Sequence, residues 1–368
     1  MTVGIVGAGQ LGRMMALAGY PLGLDFLFLD KDAGTPGGQV APLLAGELTD
    51  RALLGELAGR CEVLTFDWEN VPVEALEQLP GKARIAPPLR ALGCAQDRLS
   101  EKRTFELLGI PTTRYAAVDS RGALDAAVRS IGLPGVLKTR RLGYDGKGQF
   151  VLRTAADLDA AWAALGTAPL LYENLVPFER EVSVIAVRAV DGAVAFYPLN
   201  LNVHREGILR LTRAPYGNAA LTRQAQRAAR RLLEHFDYVG VLTIEFFVVR
   251  GRLVANEMAP RVHNSGHWTI EGAQTSQFEN HVRAIAGMPL GSTRTRGHCA
   301  MVNLIGELPD RDVLLRDPGL HWHDYGKSAR PGRKLGHLTL VENSARQRDL
   351  HASKVLRRID RATWLAIR

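Results

Sequence analysis

Val241-Leu242-Thr243-Ile244-Glu245-Phe246-Phe247-Val248-Val249-Arg250-Gly251 and, a few residues later, Asn256-Glu257-Met258-Ala259-Pro260-Arg261-Val262-His263-Asn264-Ser265-Gly266-His267 carry the most decisive reading in this chain. The first run is an apolar strand with one carboxylate at its centre. A buried anion is costly unless it is paired or binds a metal. The second run packs a carboxylate, an arginine, two histidines, two amides and a hydroxyl into one short segment. Two carboxylates beside such a basic and polar run point to a cation site for phosphate chemistry. The bland alternative is a pair of surface glutamates on an edge hairpin, and the apolar neighbours of Glu245 argue against it.

Arg250-Gly251 suits a hairpin turn. A three-residue turn sets Glu245 opposite Glu257, whereas a two-residue turn sets Asn256 there instead. The sequence leaves both registers open. Facing carboxylates repel unless a divalent cation joins them. Hard oxygen ligands favour Mg²⁺, with Mn²⁺ as a possible substitute, over zinc.

Length and composition frame this. At 368 residues, 46% hydrophobic and 23% charged, the chain is a globular protein of two or three domains. No apolar run approaches the ~20 residues that span a bilayer, so no membrane partner is expected. Met1-Thr2-Val3-Gly4-Ile5-Val6-Gly7 lacks a basic leader and suits a first strand better than a signal peptide. Cys61, Cys94 and Cys299 have neither metal spacing nor a disulfide framework. A cytoplasmic enzyme is the expectation. The net charge of +8 raises nucleic acid as a partner, but the basic residues are dispersed or mixed with acids. The densest run, Arg330-Pro331-Gly332-Arg333-Lys334, lacks the aromatics that stack bases. A small anionic substrate explains it better than a nucleic acid does.

Residues 1–96 alternate strand and helix signals, the pattern of a Rossmann-like open parallel sheet. Strands are expected over 3–6, 25–29 and 63–66, with a helix from Gln10 to about 18. A second region, 97–296, opens with a helix over 99–108 that Gly109 and Pro111 close. Within it, residues from about 115 to 177 form a compact block sized as a mobile lid. Runs 181–190 and 193–198 pair around Asp191-Gly192, and helices follow over 222–236 and 277–286. Residues 297–368 suggest a small module of short strands and turns. The fold class is α/β (α+β).

Two glycine-rich loops need weighing. Gly7-Ala8-Gly9-Gln10-Leu11-Gly12 follows the first strand, and Asp30 supplies the acid a dinucleotide fingerprint requires. Nothing later supplies a hydride-transfer site, so an NAD-dependent oxidoreductase is a distant alternative. Gly143-Tyr144-Asp145-Gly146-Lys147-Gly148, with Lys138 on the strand before it, suits phosphate binding through backbone amides. It is not a Walker A loop, because the GK[ST] ending is absent. Leu170-Leu171-Tyr172-Glu173-Asn174-Leu175-Val176 leaves a strand for a linker whose backbone could meet an adenine edge, with Glu181 placed to accept from ribose hydroxyls.

Lys138, the GYDGKG loop, Glu173, Glu181, Glu245 and Asn256-Glu257 stand in the order of parts of the ATP-grasp superfamily. Within it the chain resembles the N5-carboxyaminoimidazole ribonucleotide synthase family. The resemblance rests on GxGQLGRM at Gly7 to Met14, DRLSEK at Asp97 to Lys102 and GYDGKGQ at Gly143 to Gln149. It continues through NEMAPRVHNSGHWT at Asn256 to Thr269, SQFENHVRA at Ser276 to Ala284 and RPGRKLGHL at Arg330 to Leu338. It runs nearly end to end, and the last three motifs are not general features of the superfamily.

The resemblance implies an ATP-grasp fold and an ADP-forming ligase that uses ATP and bicarbonate to carboxylate 5-aminoimidazole ribonucleotide in purine biosynthesis. It implies ATP phosphates on Arg98, Lys138 and Gly143, Tyr144, Asp145, Gly146, Lys147, Gly148 and Gln149. Adenine would meet Glu173, Asn174, Leu175 and Val176; Glu181 would hold ribose, with His204 and Asn256 nearby. Glu245 and Glu257 would hold the metal. Arg261, His263 and Asn264 would supply oxyanion donors to bicarbonate, and Asp145 would orient the substrate amine, with Tyr144 packed on the imidazole. The ribonucleotide would lie on Gln10, Leu11 and Glu69, its phosphate on Lys327, Arg330, Arg333 and Lys334. The family is typically dimeric. A formate-dependent glycinamide ribonucleotide transformylase or a biotin carboxylase would share the cation site. The former should differ after the metal glutamate, and the latter should be longer.

Overall fold

Three sheets carry the chain in this computed structural model, which describes residues 1–79, 83–143 and 147–367. The first is five-stranded and wholly parallel, in the spatial order Leu43–Ala45, Asp25–Asp30, Thr2–Val6, Val63–Phe66, Arg84–Ile85. Its apolar strands are buried on both faces, as a parallel sheet flanked by helices requires. Strand order reverses beside Thr2–Val6, so the glycine turn after Val6 and the Asp67 end of Val63–Phe66 open on one crevice, the usual ligand position of such sheets.

The second sheet is a separate four-stranded antiparallel layer. Its order is Tyr115–Val118, Leu170–Asn174, Gly135–Thr139, Gln149–Leu152. Helices Arg121–Ile131 and Leu158–Leu165 cover it, and Val118, Leu124, Ile131, Leu137, Leu152 and Tyr172 close a core of its own. Ser120 starts the first helix by accepting from the Ala123 amide at 3.1 Å.

The third sheet is the largest and places the site. It begins at the edge with Arg252–Ala259, then Gly240–Val249, Arg180–Arg188, Asn200–Arg205, Ile208–Ala214, His298–Ile305, Lys334–Glu342 and Leu320–Asp324, with Val194–Phe196 paired to Arg180–Arg188. The helix Ala219–His235 lays Leu221, Ala225, Ala229, Leu232 and Leu233 against Val182, Val184, Ile244 and Phe246 on one face. Trp268, Phe278 and Val282 pack against the other, and the N-terminal helix Gln10–Gly19 packs on the helix Gln277–Ala286 behind them. The sheet runs without interruption past residue 297, because Ile208–Ala214 pairs with His298–Ile305. The C-terminal segment also differs from the strands and turns expected of it. It ends in helices Ala345–Ile359 and Arg361–Ala366, which bury Ala352, Val355 and Leu356 on that same sheet.

The hairpin resolves the register question in an unexpected way. Val249 pairs with Arg252 around a two-residue turn, in which Arg250 (φ 49°) and Gly251 (φ 72°) are both left-handed. That register holds through Phe246 opposite Ala255. A bulge then inserts Asn256, and Glu245 faces Glu257 after all. Turn length alone therefore mispredicts the pairing.

Candidate active site

One cavity of about 810 Å³ lies where the three sheets meet. Because of the bulge, consecutive residues Asn256 and Glu257 both line it, together with Glu245 from the facing strand. Glu257 keeps 42% of its side chain accessible, whereas Glu245 keeps 14%. Burial pushes the Glu245 carboxyl up; His204 pulls it back, and Glu257 and Glu181 push it up further. At Glu257 burial is outweighed by Arg98 and Lys138, which hold the carboxyl below its ordinary range. Arg98 Nη1 lies 3.2 Å from Glu257, and its Nη2 donates to the Gly143 carbonyl at 3.2 Å. The helix Arg98–Leu107 aims that guanidinium; Asp97 caps it by accepting from the Leu99 and Ser100 amides.

Two histidines attend Glu245. His263 Nε2 lies 3.2 Å from one oxygen and His204 Nε2 3.8 Å from the other. His204 Nδ1 sits 2.9 Å from Glu181, and although burial opposes it, this contact and the charge of Glu245 push its pKa up to about 9. His263 behaves oppositely. Burial, then Arg261 and Lys334, drive its pKa well below the ordinary value, so it is neutral, and its Nδ1 accepts from the Ser265 amide at 3.3 Å. His263 is therefore a neutral imidazole lining the cavity. Arg261 is the fixed cation there, but it pairs with Glu69, a residue expected to bind ribose. Asn264 exchanges hydrogen bonds with Asn303 at 3.0 and 2.7 Å, which fixes its amide.

Among the four-stranded layer's residues, Lys138 donates to Glu173 at 3.0 Å. Glu173 is 2% exposed and also faces Lys102 at 3.5 Å. Burial would raise this carboxyl, but Lys102 and Lys138 hold it at about 2. Glu173 thus points into the interior as a counter-ion for two lysines. Gly143, Gln149, Leu175 and Glu181 line the cavity, whereas Asn174 faces the sheet edge and accepts from the Arg114 amide at 2.8 Å. Val176 is not among the lining residues. The Thr139 amide donates to the Gly148 carbonyl at 2.8 Å, and Gly148 itself is left-handed (φ 69°). Lys147 precedes it within the same turn. Tyr144, Asp145 and Gly146 lie outside the described residues.

Gln10, Leu11, Glu69 and Lys334 also line the cavity. Lys327 donates to the Gln10 side chain there, and burial draws its pKa down to about 8. The rest of the basic run behaves differently. Arg330 is exposed and Arg333 donates to Ser328 at 2.8 and 3.1 Å; neither is among the lining residues. The glycine turn is occupied by the protein itself. Asp30 accepts from the Ala8 amide at 2.6 Å and Asp67 from the Gly9 amide. A Cβ on Gly7 would collide with the Asp67 carboxylate. The amides a dinucleotide pyrophosphate would need are already taken, which excludes that reading on physical grounds.

Sequence reasoning passed over Glu101, Lys102, Asp67 and Arg140. Glu101, Asp67 and Arg140 line the cavity, while Lys102 stands behind Glu173. Lys102 sits inside DRLSEK, but an Arg/Glu/Lys helix gives no local sign of burial. Among the described residues no three His, Cys, Asp or Glu side chains gather as a metal site. Two carboxylates plus substrate phosphates are the usual Mg²⁺ arrangement, so the Glu245–Glu257 pair fits that ion without a third protein carboxylate. No helix among the described residues is long and apolar enough to cross a membrane.

Comparison with known proteins shows the family. Residues 1–96 match the ribonucleotide synthetase preATP-grasp domain, 103–278 the ATP-grasp domain and 299–349 the phosphoribosylaminoimidazole carboxylase C-terminal domain. The N5-carboxyaminoimidazole ribonucleotide synthase of Pseudomonas aeruginosa is 50% identical over 92% of this chain and 94% of that protein. The crystal structure of the N5-carboxyaminoimidazole ribonucleotide synthetase of Thermus thermophilus is likewise 50% identical. It superposes with a TM-score of 0.93 over 97% of this chain and 98% of that one. The Aspergillus clavatus N5-carboxyaminoimidazole synthase, solved with ADP and 5-aminoimidazole ribonucleotide, is 31% identical, with a TM-score of 0.91 and 98% of both chains covered. With its ATP-grasp fold and both flanking domains matched at this identity, the chain belongs to the N5-carboxyaminoimidazole ribonucleotide synthase family.

Proposed function

We propose that this chain is an ATP-dependent, ADP-forming ligase that carboxylates the exocyclic amine of 5-aminoimidazole ribonucleotide with bicarbonate, giving N5-carboxyaminoimidazole ribonucleotide for purine biosynthesis. One observation carries the reading: a single cavity is lined by Lys138, Glu181 and Glu257 and also by Gln10, Glu69 and Lys334. Two phosphorylated ligands can thus meet with their reacting groups between them. The Aspergillus clavatus relative holding ADP and the ribonucleotide together supports this reading.

In the reaction, bicarbonate oxygen attacks the γ-phosphoryl group, releasing ADP and forming carboxyphosphate. Carboxyphosphate yields phosphate and CO2, and the substrate amine attacks that carbon, losing a proton as the carbamate forms. Arg98 and Lys138 stabilise the charge on the transferred phosphoryl group. Mg²⁺, when held by Glu245 and Glu257, would screen the nucleotide phosphates. Arg261, oriented by Glu69, supplies the cation for bicarbonate. The fixed amide of Asn264 supplies a hydrogen-bond donor, and neutral His263 directs its Nε2–H toward Glu245. Asp145 is the proposed partner of the substrate amine. Lys327 and Lys334 receive the ribonucleotide phosphate. A closing four-stranded layer would exclude water, which otherwise consumes carboxyphosphate.

The test is phosphate release with aminoimidazole ribonucleotide present, with bicarbonate or formate as the second substrate. Bicarbonate-dependent turnover is expected. Formate-dependent turnover would instead indicate a transformylase.

A further inference from the structure

The strand Arg252–Ala259, which carries Asn256 and Glu257, is the edge of the large sheet; no further strand pairs with its outer side among the described residues, beyond an isolated bridge in which the Ala255 amide donates to the Pro111 carbonyl at 2.7 Å. Adjacent residues of one helix fill that side on either flank of Glu257. Lys102, 1% exposed, donates to the Asn256 carbonyl at 2.7 Å, and Glu101, equally buried, accepts from the Met258 amide at 2.6 Å. Thr112 completes the arrangement. Its hydroxyl donates to the Ala255 carbonyl at 2.8 Å and lies 3.1 Å from Lys102 Nζ. Burying an ammonium and a carboxyl here costs more than ordinary strand pairing would, and Glu173 is the counter-ion that keeps Lys102 in place. The expense falls at the bulge, the feature that brings Glu257 opposite Glu245.

We propose that Glu101 and Lys102 are positioning residues for the cation site: they clamp the backbone on both sides of Glu257 and so hold the bulged register. The inference rests on the metal role assigned above to Glu245 and Glu257. Neither side chain needs to touch nucleotide or metal. Loss of the clamp lets the edge strand relax toward the unbulged register, in which Asn256 faces Glu245, while Lys138 and the rest of the nucleotide site stay in place. The defect should therefore be specific to the metal-dependent part of nucleotide binding.

Calorimetric titration of ADP with and without Mg²⁺ separates the outcomes. For the unsubstituted protein, Mg²⁺ should tighten ADP binding. Lys102→Met should weaken Mg²⁺-ADP binding roughly 10- to 100-fold, the range for residues that orient a metal's ligands, and leave metal-free ADP within about threefold. Glu101→Leu should do the same. Glu101→Gln should largely restore binding, since its amide oxygen still accepts from Met258. Should Lys102→Met fail to fold, Thr112→Val supplies the same comparison with a smaller loss. Equal loss of both affinities, or no loss of either, in a folded variant overturns the clamp. Absence of any Mg²⁺ effect in the unsubstituted protein overturns the metal reading itself, and the clamp with it.

Discussion

Two pairs of acids border the same cavity, and they have opposite fates. Asp30 and Asp67 are neutralised locally, by the Ala8 and Gly9 amides of the glycine turn they fill. Burial first, and Asp30 second, push the Asp67 carboxyl up to about 7, so at neutral pH it is held partly as the acid. Among the described residues no backbone amide donates to Glu245 or Glu257. Their compensation comes from side chains across the cavity, Arg98, Lys138 and His204, and Glu257 remains open to it. The first pair uses its partners to build a turn; in the second, Glu245 is likewise pushed up to about 7, while Glu257 is held below its ordinary range and leaves negative charge facing the space where a nucleotide would bring a cation. A carboxylate pair is thus informative only once its donors are counted.

Neutral isosteres at the two pairs sharpen that contrast. Glu257→Gln should reduce ribonucleotide-dependent ATP cleavage on the order of 10³-fold, because the electrostatic clamp on the phosphates is lost; steady-state phosphate release measures it. Lys334→Ala should raise the KM for the ribonucleotide about tenfold and leave basal ATPase largely intact. Complete loss of that basal activity would contradict the assignment of Lys334 to the ribonucleotide.

Asp67→Asn should leave turnover within a few-fold and change the pH dependence of stability instead. The folded carboxyl titrates near 7 and the free one near 3.8, so the native protein keeps a proton that the unfolded chain releases. Stability from this group is complete below about pH 4 and is lost as pH rises through 7. The substitution should flatten that slope, read from urea midpoints at pH 5 and 7.5. The smallest effect is expected for Arg330→Ala, whose exposed side chain is not among the lining residues: a change of about twofold or less in KM.

The central strands of the parallel sheet, the helices Ala219–His235 and Gln277–Ala286 and the hairpin that carries Glu245 and Glu257 were legible because each rests on local signals, either unbroken apolar runs or capped amphipathic segments. The hairpin shows where this stops. Arg250-Gly251 marked a turn but left its length open, and the bulge was not legible at all, since an inserted residue in an edge strand leaves no mark on the alternation. Lys102 was missed for a related reason. Its burial depends on Glu173 and on the Asn256 carbonyl, both remote in sequence. The helix Ala345–Ile359 was missed despite a usable signal: Ser344 accepts from the Gln347 amide at 3.2 Å, a capping pattern ahead of Val355 and Leu356. Of the RPGRK run, only Lys334 is among the lining residues; Arg330 is exposed, and Arg333 is held by Ser328.

The most direct test of the central claim is the anomalous scattering of Mn²⁺ in crystals grown with ADP and Mn²⁺. The account predicts one peak within coordination distance of both Glu245 and Glu257 carboxylates and of a nucleotide phosphate oxygen. A nucleotide bound in the cavity with the two carboxylates apart and no peak between them would contradict it.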